Sequence, residues 1–468
     1  MKNKVAHKYT AREEPMEIRV QEQKKLEEYF SQAGNQLIVI YGRPDCQKEA
    51  LFRAFCKGKR SFYYRCRQAS EREQILMMKK ELEQQFDVKL LQEDYHTYFN
   101  RLKSRDGSKI VLVIDEFQHI VKKDATFLKS IVDLKNRKLY PGPVEIILSS
   151  SAVSWVRGEL PDVLPNYKKH VTESIELSDY KFVDLVQFFP KYSVSECVQV
   201  YGIIGGVPGY MRRWNADTDV RTNICRHILS EDGFLFQEAE HFMGAQLREL
   251  ANYETILAAI AAGHRKLNDL FQITGFSRAK ISVYMKNLMA FDVIEKVHSF
   301  ETGGWENTQK GIYQIRNTFL NFWFRFIYPH LSALYQMEPE MFFDQYIADG
   351  LEEYMNRYFQ QVCMEYLELL NLVGRLPIQI RKMGTWVGKQ GSLDIVAQDT
   401  ARISIVGLCN WSKEKMPYEV CEELEKRLEK AHLTSDYRYL FSAKAFDERL
   451  LEKAKEDSRY ILVDMKQL

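Results

Sequence analysis

Two short stretches of this chain carry residue types that could manage a phosphate. Gly42-Arg43-Pro44-Asp45-Cys46-Gln47-Lys48-Glu49 has the first glycine and the lysine of a G-x-x-x-x-G-K-[ST] loop in register. In such a loop the second glycine lets backbone N–H groups close around phosphate with no Cβ in the way, and the hydroxyl ligates Mg²⁺. Those two positions are Gln47 and Glu49 here. Gln47 obstructs the cradle if the loop needs a positive φ. Glu49 brings a like charge towards a triphosphate, although a carboxylate can itself ligate Mg²⁺. Lys48 keeps a charge-assisted contact worth roughly 1.5–3 kcal/mol, which has to offset that repulsion. Further along, the apolar run Ile110 to Ile114 leads into Asp115-Glu116. Asp115 would hold Mg²⁺ and Glu116 would polarise an attacking water, at the strand end where open α/β sheets bind ligands. Taken alone, the pair reads equally well as a cap on the next helix.

The elements that must position these residues are legible as short apolar runs. Gln36 to Tyr41, Ser61 to Arg65, Ile110 to Ile114 and Val144 to Ser149 read as buried strands, with a weaker one at Val171 to Leu177 and helical segments between them. Met16 to Gln32 reads as an amphipathic helix ahead of the first strand. Strands alternating with helices predict a parallel α/β sheet. From Tyr180 to Asp232 the pattern turns helical, punctuated by Gly205-Gly206-Val207-Pro208-Gly209, as a small helical lid would be.

Ile256 to Ala262, Leu267 to Phe271 and Ser277 to Ala290 then read as three helices, followed by strand-like Val293 to His298 and Gly311 to Ile315 around Gly303-Gly304. That is the order of a winged helix-turn-helix. On its third helix Ile281, Met285 and Leu288 face inward, leaving Arg278, Ser282 and Lys286 along another face, with Lys280 and Asn287 beside them and Lys296, His298 and Lys310 around the wing. Residues 251–316 hold eight Lys and Arg against six acids, so DNA binding there would be modest and salt-sensitive. A segment that only packs against its neighbours is the competing reading.

Composition narrows the classes. At 468 residues with 45% hydrophobic content, the chain needs more than one core. Its 66 Lys and Arg against 64 Asp and Glu exclude a global polyanion binder, so any nucleic-acid surface is local. Eight scattered cysteines without zinc spacing predict free thiols in the cytoplasm and no zinc. The amino terminus lacks an apolar leader core, and the aromatic stretch Phe319 to Tyr328 is too short to span a bilayer.

The succession YGRPDCQKEAL, VLVIDEFQHI, ILSSSAVSWV and YGIIGGVPGYMRRW resembles the archaeal-type ATPase family of the AAA/STAND group of P-loop NTPases. The resemblance implies a P-loop core over 1–178, a lid over 179–250, a winged helix with a packing helix over 251–336 and a restriction-endonuclease-like α/β domain over 337–468. It implies Ser149 or Ser150 at the sensor position and Gly206 and Pro208 in a lid motif beside adenine. Arg212 and Arg213 follow, either facing phosphate or lying on a solvated helix face. In the last domain the family's metal site uses an Asp, an E-x-K and a helix Glu. Asp394 matches the aspartate, while Leu408, Asn410 and Gln360 stand where the Glu, the Lys and the helix Glu would be, and Lys413 or Lys415 could reach back. The expectation is a regulatory or DNA-associated protein derived from an ATPase, with ATP and Mg²⁺ binding weakened by Gln47 and Glu49, hydrolysis weak or lost, and no nuclease activity. A slow ATPase working through Lys48, Asp115 and Glu116, and a protein-interaction scaffold touching neither nucleotide nor DNA, are the alternatives. The oligomeric state and the partner are not encoded in any motif.

Overall fold

The computed structural model describes residues 19–468, apart from 87, 103, 105, 122, 123, 125, 139–141, 165, 247, 248, 301–310, 389, 390 and 413. Gly303-Gly304, Lys310 and Lys413 lie outside the described residues. The chain forms two compact units, Met1–Ser178 and Asp179–Leu468.

In the first unit, β1 (Gln36–Tyr41), β2 (Ser61–Arg65), β3 (Ile110–Asp115), β4 (Val144–Ser150) and β5 (Glu173–Glu176) make one sheet in the order β2-β3-β4-β1-β5. Every pairing is parallel, which requires crossovers over the sheet faces. Apolar layers accordingly cover both faces. Ile38, Ile40, Val113 and Ile147 pack with Leu51 and Phe52 on one side; Leu37, Val39, Leu112 and Leu148 pack with Met78, Leu82 and Ile131 on the other. Parallel registry brings the carboxyl ends of the strands together. Tyr41 is opposite Ser150 and Glu176, and Arg65 is opposite Asp115. Nearer the amino end of β4, Glu145 is fully buried and neither carboxyl oxygen has a hydrogen-bond partner.

The second unit is built on the helix Ala348–Leu372. It packs on the helix Val194–Ile204 and on the carboxyl-terminal sheet, and one apolar core runs from Phe182 through Phe359 to Val463. Tyr354 donates to the Gly202 carbonyl at 3.0 Å, and Glu365 accepts from the Phe182 amide and the Tyr201 hydroxyl. The helices Leu250–Ala261, Leu267–Thr274 and Arg278–Ala290 are followed by the antiparallel pair β6 (Ile294–His298) and β7 (Gly311–Ile315). The final sheet contains β8 (Lys382–Val387), β9 (Ser392–Gln398), β10 (Ser404–Asn410), β11 (Tyr437–Ser442) and β12 (Tyr460–Asp464) in the order β12-β11-β10-β9-β8. It is mixed, with β9 antiparallel to both neighbours and β10, β11 and β12 parallel. Trp386 to Trp411 thus spans the end of β8 and all of β9 and β10. Just past β6, the Phe300 amide donates to Thr385 O at 2.8 Å and the Ser299 hydroxyl accepts from the Val387 amide at 2.9 Å, which seats Phe300 in the core of the last sheet.

Candidate functional site

The loop between β1 and the helix Lys48–Cys56 has the backbone of a tight turn although Gln47 stands where its second glycine would be. Asp45 and Gln47 both adopt left-handed conformations, with φ of 62° and 70°. For residues with a Cβ each such conformation costs roughly 1–2 kcal/mol. Gln47 is the residue preceding the helix, and its side chain makes no capping bond. Among the described residues no side chain caps the helix's opening N–H groups, the arrangement an anion site needs. Gly42 is required by close packing, since a Cβ there would lie 2.6 Å from the Leu177 carbonyl oxygen and 2.7 Å from Cys46 Sγ. Arg19 braces the loop from outside, its guanidinium donating to the Cys46 carbonyl at 3.0 and 3.1 Å. Arg43 lies partly buried within the same loop.

Lys48 and Glu116 meet. The buried ammonium donates to Gly42 O at 2.9 Å and lies 3.5 Å from Glu116 Oε1. Glu116 Oε2 accepts from Gln118 Nε2 (2.6 Å), the Ser151 hydroxyl (2.6 Å) and the Ser151 amide (3.1 Å). Burial works to raise this carboxyl, but Lys48 and the Ser151 and Gln118 donors outweigh it and hold Glu116 below its usual value. Glu116 also has a positive φ of 54°.

Asp115 accepts from the Tyr63 hydroxyl on Oδ2 at 3.0 Å and from the Glu116 amide on Oδ1 at 3.1 Å. Burial, then the Asp115 charge, pushes the Tyr63 hydroxyl well above its ordinary value, so it stays a donor. Glu49 is exposed and ion-paired with Arg65. Ser149 and Ser150 are both buried at the end of β4. Ser150 Oγ accepts from the Ala152 amide, whereas Ser149 Oγ has no hydrogen-bond partner. Among the described residues no three His, Cys, Asp or Glu side chains are grouped to hold a metal ion. The loop suits an anion, but the acids around it suit Mg²⁺ poorly, because Asp115 already accepts from Tyr63 and Glu116 from Gln118 and Ser151 while facing Lys48, and Glu49 pairs with Arg65.

Gly206 and Pro208 belong to the second unit and serve packing there. A Cβ on Gly206 would lie 1.9 Å from the Tyr180 carbonyl oxygen, and Pro208 begins a short helix. Arg213 lies over the Phe234 ring at 4.1 Å.

On the helix Arg278–Ala290, Ile281, Met285 and Leu288 are buried, while Arg278, Ser282 and Lys286 are exposed. Lys280 turns inward, donating to Asn252 Oδ1 at 2.8 Å above the Phe276 ring, and Asn287 donates to the Tyr253 hydroxyl. Lys296 on β6 lies against Tyr313.

In the last sheet, Asp394 Oδ2 accepts from the Cys409 amide at 2.8 Å, close to where the β8–β9 register shifts. Burial raises its carboxyl, against that amide and Arg427. Gln360 donates to the Asp394 carbonyl and to Thr385 Oγ1. Leu408 is core, and Asn410 ends β10. Gln360 and Asp394 are thus brought together as structural partners.

Sequence reasoning missed Tyr63, Arg65, Gln118 and Ser151. Only the registry of β2 beside β3 and the turn after β4 reveal them, and no local motif marks either.

Residues 19–213 match a family described as an ATPase domain found predominantly in Archaea, and residues 323–426 match a family described as archaeal and bacterial proteins of unknown function. An uncharacterized protein of Methanocaldococcus jannaschii is 28% identical over 384 residues, 81% of this chain and 83% of its own. Among solved structures, a Walker-type ATPase of Pyrococcus abyssi aligns at 17% identity and a TM-score of 0.48, over 66% of this chain and 95% of that one. The ORC2 protein of Aeropyrum pernix in its ADPNP-ADP complexes aligns at 14% identity and 0.44, over 71% and 96%. The segment 19–213, which matches that archaeal ATPase domain family, contains the parallel five-stranded sheet, the loop after β1 and the acidic pair after β3.

Proposed function

We propose that the first unit binds a nucleoside triphosphate as a conformational ligand, with hydrolysis weak or lost, in a regulatory or DNA-associated protein. The occupancy of Glu116 carries this reading. A carboxylate that polarises water needs a free oxygen facing the substrate. Here one oxygen faces Lys48 and the other accepts from three donors. The same lysine is folded onto Gly42, so a phosphate must first draw it away. The slow-ATPase alternative uses Lys48, Asp115 and Glu116 after such a rearrangement. Release of labelled phosphate from ATP is compared between the native chain and Glu116→Gln. We expect no turnover in either; turnover in the native chain that vanishes in the variant establishes the alternative.

The DNA-associated half of the proposal rests on the exposed line Arg278, Ser282 and Lys286, in a winged-helix-like order of elements. Lys280 contributes less than the sequence suggests, because its ammonium is bonded inside the segment. The region after Met337 is proposed to be a nuclease-like domain without nuclease chemistry, Leu408 and Gln360 having replaced acids.

A further inference from the structure

Arg65 ends β2 directly opposite Asp115 in the parallel register. Its guanidinium pairs with Glu49, and Asp115 and Glu116 also act on it electrostatically. One cation therefore pairs with Glu49 and lies within electrostatic reach of Asp115 and Glu116, the acids around the loop's Mg²⁺ position. A magnesium ion demands near-octahedral oxygen ligands. Here it would compete with Tyr63 for Asp115 and would sit beside a guanidinium, cation against cation.

We propose that Arg65 takes the place of Mg²⁺ at this site, so that the loop binds nucleotide through Arg65 and Lys48 without a divalent ion. This rests on the nucleotide reading given above. A guanidinium fork matches phosphate as well as carboxylate. The pair with Glu49 is 57% and 55% exposed, and an ion pair so solvated is weak enough for phosphate oxygens to displace the carboxylate. Glu49, which by itself repels a triphosphate, then acts to hold Arg65 in place until one arrives.

The test is ATP binding by the full chain, measured by calorimetry in Mg²⁺ and in EDTA, for the native protein, Arg65→Gln and Arg65→Lys. The expected result is native binding equal within about twofold in the two buffers, a loss of about tenfold or more in EDTA for Arg65→Gln, and a smaller loss for Arg65→Lys. The exposed Arg65 side chain leaves the fold of both variants intact. Native binding that appears only with Mg²⁺, or Arg65→Gln binding in EDTA as tightly as the native chain, overturns the inference and leaves the nucleotide reading standing. A native chain that binds no ATP in either buffer overturns both.

Discussion

The loop after β1 and the region around Asp394 both depart from the motifs the sequence resemblance leads one to expect, and they depart in opposite ways. At the loop, the two substituted positions are still polar or charged, Gln47 only partly buried and Glu49 paired with Arg65, while the retained Lys48 meets Glu116. Around Asp394, the position where the resemblance implies an acid is apolar core at Leu408, and Asp394 itself is bonded to a backbone amide of β10. The first region has kept the means of meeting an anion. The second has been absorbed into its sheet. The difference follows from position, since strand ends open towards solvent tolerate charge, whereas a buried strand does so only with partners.

The sharpest way to break this contrast is to introduce together the acid and the lysine that the resemblance implies. Leu408→Glu with Asn410→Lys places a carboxylate in a site that is 4% exposed and lined by Val406, Leu424 and Leu440. We expect a loss of about 3–5 kcal/mol in urea unfolding and no DNA cleavage. A stable variant that cuts DNA with Mg²⁺ shows that the second region is dormant rather than absorbed.

Glu145 tests the same rule from the other side, as a buried carboxyl without partners. Burial, only partly countered by Lys109, raises it to about 8. Between the ordinary value of 4.5 and that value the native chain holds a proton that the unfolded chain has released. Stability therefore falls as pH rises through this window and levels off above it. Glu145→Gln removes the slope and raises stability at pH 8 by an amount on the order of 2 kcal/mol, with little change at pH 4. Thermal melts at the two pH values measure it, and equal shifts at both remove the protonation account.

The smallest effect belongs to the loop itself. Gln47→Gly relieves a left-handed conformation and should raise stability by about 1 kcal/mol. It should also tighten ATP binding, because the cradle loses a side chain. A variant that is stabilised but binds no better confines Gln47's effect to the backbone.

Much of this was legible in advance. The runs IVLVI and VEIILS could only be interior strands, and the glycine and lysine of the loop fixed which strand carried it. Gln47's positive φ was a condition the sequence could state but not decide. Arg65 and Tyr63 escaped notice because their meaning comes from β3 lying beside β2, a pairing between segments far apart in the chain. Lys280 misled for a related reason. Helical periodicity places its Cα on the flank of the helix, but the flexible side chain reached an amide oxygen on another helix. Asp394 stood out as the one residue matching the implied motif, yet its bond to the Cys409 amide depends on β10 lying beside β9, a pairing that no composition reveals.

The stitching of Ser299 and Phe300 onto β8 has a consequence of a different kind. β8 is the last strand of its sheet, and an open strand border with free amides and carbonyls recruits other chains. Thr385 and Val387 engage their carbonyls, and Val387 its amide, with the segment that follows β6. The chain thus supplies its own border strip, and a copy that lost this attachment would be the one prone to self-association.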